Sequence, residues 1–573
     1  MNDSSIDTTI APMTIATALS SFLESGNHSD ASRKNYRSMV KKFCEMANVD
    51  DGMILTAAAL QTLFAGILPA RFNVSRKRWS NIRSAVRAIA RHVGVLDDTR
   101  AGRVVRSADW EALWTRLPKR PFRPVLTAFV TYCSGAGTAP DAVNDDALEA
   151  FADYRATQTT KPLTSQHRSR IVAMWNRAVA EIDGWPQTRL TPRPRRPTIA
   201  QQLEAFPASF RAELETYLAD HRDGPDDPFA SGYRRRLAPK TVKHRRQLVL
   251  SCARAMVAAG VEETELKTLA DLVRPELVKR ALTNIYANNG KNWPPSAPTL
   301  CSHLCAIARD CDQPPEVIES LQGLARKVGA NRQPGLPPKV RERLHRLNRP
   351  EVKAKLFALP ALLSKAAAGH LAAGRPRRAV SVHEGALLFA LLPLMPMRVR
   401  NICSLDLDRH FLRDRQGRAV ALHIPADETK NDRPIDWEMP EEFIRLLYTH
   451  ETTYRPLLDG AAGSRWLFPG PEGRHNVPET LSRLVGRLGE QHLGVRTTAH
   501  LFRHLVASML FEDDPRNVAV AQHVLGHTTD KVTGRMYGEL SMKGAVAEHG
   551  KMLDREREKL AGVHLRRRVK GKR

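Results

Sequence analysis

The chain has 573 residues, enough for about three to five domains at roughly 100–200 residues each, which excludes a single compact core. Apolar residues make up 42% and charged residues 26%, the balance of a folding chain and not of a disordered one. Lys and Arg number 88 against 61 Asp and Glu, a net charge of +27 and a pI near 10.1, so a polyanion is the first partner to consider and nucleic acid leads that list.

An anionic membrane surface is the rival partner. No apolar stretch of about 18 residues and no basic-then-apolar start occurs, so the expectation is a soluble, cytoplasmic protein without membrane insertion. Seven cysteines are too sparse for a disulfide framework. Cys301, Cys305 and Cys311 lie near His303, but Cys301 and Cys305 have helical spacing inside an apolar run and no second CxxC-type knuckle accompanies them. Core thiols are therefore expected there, with no metal and no other cofactor.

From the N-terminus, helical periodicity dominates the first 330 residues, broken by Pro-rich or basic joints at 191–197 and 334–338. Between the joints one plan recurs three times: a basic amphipathic helix, a loop, then a second basic helix. The pairs are 32–43 with 75–92, 122–133 with 165–178, and 239–256 with 298–309. These divide into a helical domain at 1–105, a second at 115–190 and a third at 200–330; three unrelated bundles with solvated basic faces would give the same pattern. In 75–92, Arg76, Lys77, Arg78, Arg83 and Arg87 alternate with Trp79, Ile82, Val86 and Ile89, so one face can pack while another meets phosphates. Lys240, Lys243, His244, Arg245 and Arg246 form a comparable patch.

Beyond residue 350 the texture changes. A buried helix reads through 384–395, and 419–425 and 434–439 read as two short strands around a polar turn. Helices resume from Pro440. The region 350–550 thus reads as helical with a small β-sheet, followed by a basic tail over 551–573, whose last ten residues should stay disordered until bound.

Five segments of this region carry candidate chemistry. In MPMRVRNICSLDL, Arg398 ends an apolar helix and must either meet a carboxylate or serve an anion. In DETKNDRPIDWEMP, Lys430 lies in the turn between the strands, where a lysine is either inserted into a groove or simply hydrated. In TAHLFRHLVASML, His500 and Arg503 are three apart and share a helix face, displaced from the stripe of Leu501, Leu505 and Met509. In VLGHTTDKVTGRMYGEL, Gly526 ends a helix, His527 follows at once and Tyr537 comes ten residues later. Asp406 and Asp408 read as caps or salt-bridge partners. No GxxxxGK[ST] loop and no acidic cluster suited to two metals is evident.

Arg398, Lys430, His500, Arg503, His527 and Tyr537, in this order and spacing, resemble the catalytic set of the tyrosine recombinase (phage integrase) family. The resemblance covers about 350–550; the upstream helical units are only compatible with that family's SAM-like DNA-binding domains. Pro396 and Asn401 depart from the family's usual Gly and Glu, and Arg400 competes for the first arginine, although RNICSL favours Arg398. The resemblance implies a nucleophilic Tyr537, phosphate-clamping Arg398 and Arg503, a hydrogen bond from His527, Lys430 as general acid and His500 as proton acceptor. It also implies double-stranded DNA as substrate, a 3′-phosphotyrosyl intermediate, a homo-tetramer or mixed recombinase assembly on paired sites, no metal or ATP, and a mobile-element recombinase associated with a bacterial nucleoid. A type IB topoisomerase, a telomere resolvase and a silent DNA-bridging accessory protein are the alternatives.

Overall fold

The computed structural model describes residues 13–26, 28–97, 105–194, 197–224, 236–329, 336–429, 434–461, 463–514, 517–526, 549–550 and 552–559. They fall into two compact units, one within Met1–Pro192 and Pro334–Arg573, the other within Arg193–Gln333. No helix among the described residues is long and apolar enough to cross a membrane. The basic residues after 559 lie outside the described residues.

The helices start where side chains can satisfy their free N–H groups. Ser29, Thr56, Ser75 and Thr164 cap Asp30–Ala47, Ala57–Gly66, Arg76–His92 and Ser165–Glu181. In the first bundle Phe43, Leu60, Ile82 and Ile89 close the core. In the second, Trp110, Phe129, Trp175 and Trp185 interlock edge to face, and the Trp110 and Trp175 indole N–H groups donate to Thr138 and Thr188 carbonyls at 2.8 and 2.9 Å. Each buried aromatic contributes on the order of 2–3 kcal/mol, enough to hold a small bundle.

The core of the C-terminal region is built on the helix Pro376–Leu394, which packs against Pro350–Ala372, Pro478–Leu493 and Ala499–Asp513. Beside it lies an antiparallel sheet in the order β1 (Phe411–Arg413), β2 (Ala419–Ile424), β3 (Ile435–Glu438). The expected strand pair is β2 and β3, with Leu422 opposite Trp437. The additional edge strand β1 is only three residues long and gives sequence periodicity too little to register. Asp406 is a structural carboxylate, accepting the Asp408 and Arg409 N–H groups and pairing with Arg465 at 3.2 Å.

In the Arg193–Gln333 unit, Phe210, Leu214, Leu250, Ala253 and Leu304 are buried together with Cys252, Cys301 and Cys305. Burial pushes the Cys301 thiol up to about 11 and Cys252 up to about 12, as for inert core thiols.

Candidate active site

The Pro376–Leu394 helix ends at Met395, whose N–H still reaches Leu391 O at 2.7 Å, and the chain turns through Pro396 and Met397. Arg398 then stands at the N-cap of the short helix Val399–Cys403, anchored by buried Ile402 and Cys403. A side chain on a corner between two buried elements has little positional freedom. Arg398 is half-buried, and desolvation lowers its pKa. Among the described residues no carboxylate pairs with it, and a half-buried guanidinium favours an anion beside it. Its competitor Arg400 is exposed on the next turn.

Thr498 caps Ala499–Asp513 by accepting the Leu501 N–H at 3.1 Å, setting the start of the helix that carries His500 and Arg503. Leu501 and Leu505 enter the core with Met509 packed partly against it, as the apolar stripe requires. Arg503 differs from an open-face arginine: it is 6% exposed, its Nη1 donates to Pro396 O at 2.7 Å, and its Nη2 donates to Leu525 O. Leu525 ends Val518–Leu525, so the cation also meets the negative end of that helix. Gly526 closes this helix at φ +58°, a left-handed conformation suited to glycine.

Arg398 and Arg503 both line a cavity of about 380 Å³, together with Asn401, Trp437 and Gly526. Thr429 and Pro434, on either side of residues 430–433, line it as well. His500 keeps solvent access and packs edge-on against His504 with ring centroids 4.5 Å apart. Partial burial, then Arg503 and Arg398, lower its pKa, so both guanidinium groups act on this imidazole and favour its neutral form. The described residues therefore unite Arg398, His500 and Arg503. Lys430, His527 and Tyr537 lie outside the described residues. A neutral imidazole beside two fixed guanidinium groups can accept a proton while an anion builds charge between them. Among the described residues no group of three or more His, Cys, Asp or Glu could hold a metal ion.

The expected DNA-contacting residues divide. Arg76, Lys77 and Arg78 are exposed on the first turn of their helix, and Lys240 and Lys243 are exposed on Pro239–Ala258. Arg245 is committed elsewhere: it donates to Tyr217 Oη at 2.9 Å and pairs with Asp310 at 3.3 Å, in a network that also holds His221. Arg246 pairs with Glu215. Arg87 donates to Thr160 Oγ1 at 2.9 Å and so joins the first two bundles instead of facing solvent. Sequence reading missed Trp437 and Asn401 as cavity walls. A tryptophan on the strand facing the core helix was the available signal for the first; Asn401 had shown only as a departure from a pattern.

Residues 378–543 match the family described as "Phage integrase family". A tyrosine recombinase XerC of Azotobacter vinelandii (strain DJ / ATCC BAA-1303) is 29% identical over 163 residues, 28% of this chain and 50% of that protein; the chain spans about half the length of this curated relative. Similar solved structures include the Tn1549 transposon integrase in complex with transposon right end DNA, at 16% identity and TM-score 0.35, covering 59% of this chain and 99% of that one. Another is a lambda integrase dimer bound to a COC′ core site, at 13% identity and TM-score 0.31, covering 66% and 88%. Residues 378–543, which hold the arginine corner and the HxxR helix, are thus the part of this chain that is similar to the phage integrase family and to a tyrosine recombinase.

Proposed function

We propose that the protein is a site-specific DNA recombinase or integrase of a mobile element, cleaving and rejoining strands through a 3′-phosphotyrosyl intermediate. The observation that carries this reading is the convergence of Arg398, which has no carboxylate partner among the described residues, and carbonyl-held Arg503 on one cavity. A phosphodiester repels nucleophiles, and attack adds charge to its nonbridging oxygens; two guanidinium forks offset that charge without reorganising.

In this reading the Tyr537 phenol oxygen attacks phosphorus, His500 accepts its proton, and the bond to the 5′ oxygen breaks as Lys430 protonates the departing alcohol. His527 donates a hydrogen bond to the same phosphate. The phosphotyrosyl bond conserves the energy of the broken diester, so a second strand's 5′ hydroxyl can reverse the step without ATP, and the fixed cations take the role a metal would otherwise play. Exchange between two sites calls for four protomers, hence a homo-tetramer or mixed assembly on paired duplexes in the bacterial cytoplasm, at the nucleoid. The helical domains at 1–105, 115–190 and 200–330 would supply most phosphate contacts, with the basic tail over 551–573 docking on a neighbour.

The test is a nicked suicide duplex. Wild-type protein should yield a covalent DNA adduct that survives denaturation, and Tyr537→Phe should abolish it; an undiminished adduct in that variant excludes the assigned nucleophile.

A further inference from the structure

The first helical bundle meets the catalytic-side helices along one seam. Arg71 Nε donates to Gly494 O at 2.8 Å and Lys355 Nζ to Asn73 Oδ1 at 2.6 Å. The approach is so close that a Cβ on Gly494, at φ +67°, would lie 2.9 Å from Arg71 N. Arg76, three residues beyond Asn73, is thereby held beside the C-terminal end of Pro478–Leu493, which carries Arg487 and His492. The Pro376–Leu394 helix touches this helix where Gly385 meets Leu488. Arg378 lies about two turns before Gly385 on the same face.

Arg76, Arg378 and Arg487 are all exposed, and none pairs with a carboxylate among the described residues. The acids that act on Arg71 at this seam are already paired: Glu342 with Arg346 at 2.9 Å and Glu490 with Arg496 at 4.0 Å. Burial, then Arg378 and Arg487, lower the pKa of Arg76; burial and Arg76 lower that of His492. Arg76 also opens its helix, where the helix dipole disfavours a cation and favours an anion. Left empty, the seam is self-repelling. A shared anion would turn the repulsion into attraction.

We propose that Arg76, Arg378 and Arg487 form a second phosphate-binding site, which takes the sugar–phosphate backbone of a DNA duplex at a place distinct from the reactive cavity. Arg378 stands at the opposite end of the Pro376–Leu394 helix from the cavity, about 24 Å away along its axis at 1.5 Å per residue. The site rests on the reading that the chain acts on DNA. It adds that one duplex contact is made jointly by the first bundle and the catalytic-side helices.

The experiment measures duplex affinity of the full chain against salt concentration. Neutralising two phosphate-contacting cations in Arg378→Gln/Arg487→Gln should lower the slope of log affinity on log salt by about 2, and Arg378→Lys/Arg487→Lys should restore it. In parallel, a duplex should protect Arg378 and Arg487 of the wild-type protein from phenylglyoxal, read by mass spectrometry of the peptides; this decides the matter should the glutamine variant not fold. A wild type that forms the covalent adduct yet shows neither the slope change nor the protection overturns this site alone. A wild type that binds no duplex overturns both the site and the recombinase reading.

Discussion

Glu384 offers a quantitative check on how the buried helix is built. It lies between His383 and Gly385 in the middle of Pro376–Leu394, is 8% exposed, and has no hydrogen-bond or ion-pair partner among the described residues. Desolvation alone pushes its carboxyl up to about 7 from 4.5. A folded-state pKa above the unfolded one means that the folded helix holds its proton longer. The contribution to stability is therefore fully present below pH 4.5 and is lost as pH rises to about 7. The whole loss is about 3 kcal/mol, from 1.36 kcal/mol per pKa unit. Glu384→Gln removes the titration while keeping the shape. Hydrogen exchange of the helix amides, measured from pH 4.5 to 8 and corrected for intrinsic rates, should show the variant gaining on the wild type by up to about 3 kcal/mol across this range. Parallel pH profiles for the two proteins would refute the assignment of an isolated buried carboxyl.

His383 and His450 should act in the opposite direction: burial lowers them to about 4 and about 3, so the stability they contribute is present above pH 6.5 and lost as pH falls toward 4, and a His383→Phe variant should lose part of that acid sensitivity in a thermal melt. Asp310→Asn leaves Arg245 facing Tyr217 and His221 without its counter-charge; the Arg193–Gln333 unit should lose about 3–5 kcal/mol in urea unfolding, whereas an unchanged midpoint would remove the network from the account of that unit. Arg503→Lys keeps the charge, but one ammonium cannot bridge the Pro396 and Leu525 carbonyls as the guanidinium fork does. Adduct formation should fall at least 100-fold, with a stability loss of about 2 kcal/mol seen by thermal melting. Arg398→Ala should slow single-turnover cleavage by about 100-fold or more with little change in melting temperature, since no ion pair among the described residues is broken; a large thermal loss would show a structural role instead.

The sequence made local structure legible where local chemistry decides it. Ser75 before a basic amphipathic run marks a helix start, Gly526 marks a helix end, and the apolar stripe of Leu501 and Leu505 gives the orientation of the HxxR helix. Long-range commitments were hidden. Whether Arg245 meets phosphate or protein depends on Asp310, 65 residues away, and on Tyr217 from a third helix. Whether Arg398 pairs with an acid depends on what surrounds it in space, and among the described residues no carboxylate does so. The solitary acid in EGALLFALL was visible as a residue, but its isolation was not. The order Arg398, His500, Arg503 was legible as a pattern, and the fold brings these three together.

The two carbonyl bonds of Arg503 have a further implication. They pin one guanidinium simultaneously to the turn leading into Arg398 and to the last residue before Gly526, so neither strap can shift without releasing the other. Assembly of the cavity is accordingly all-or-none: a loosened neighbour would swing the cation away from its aim, so a half-built site carries no charge in position.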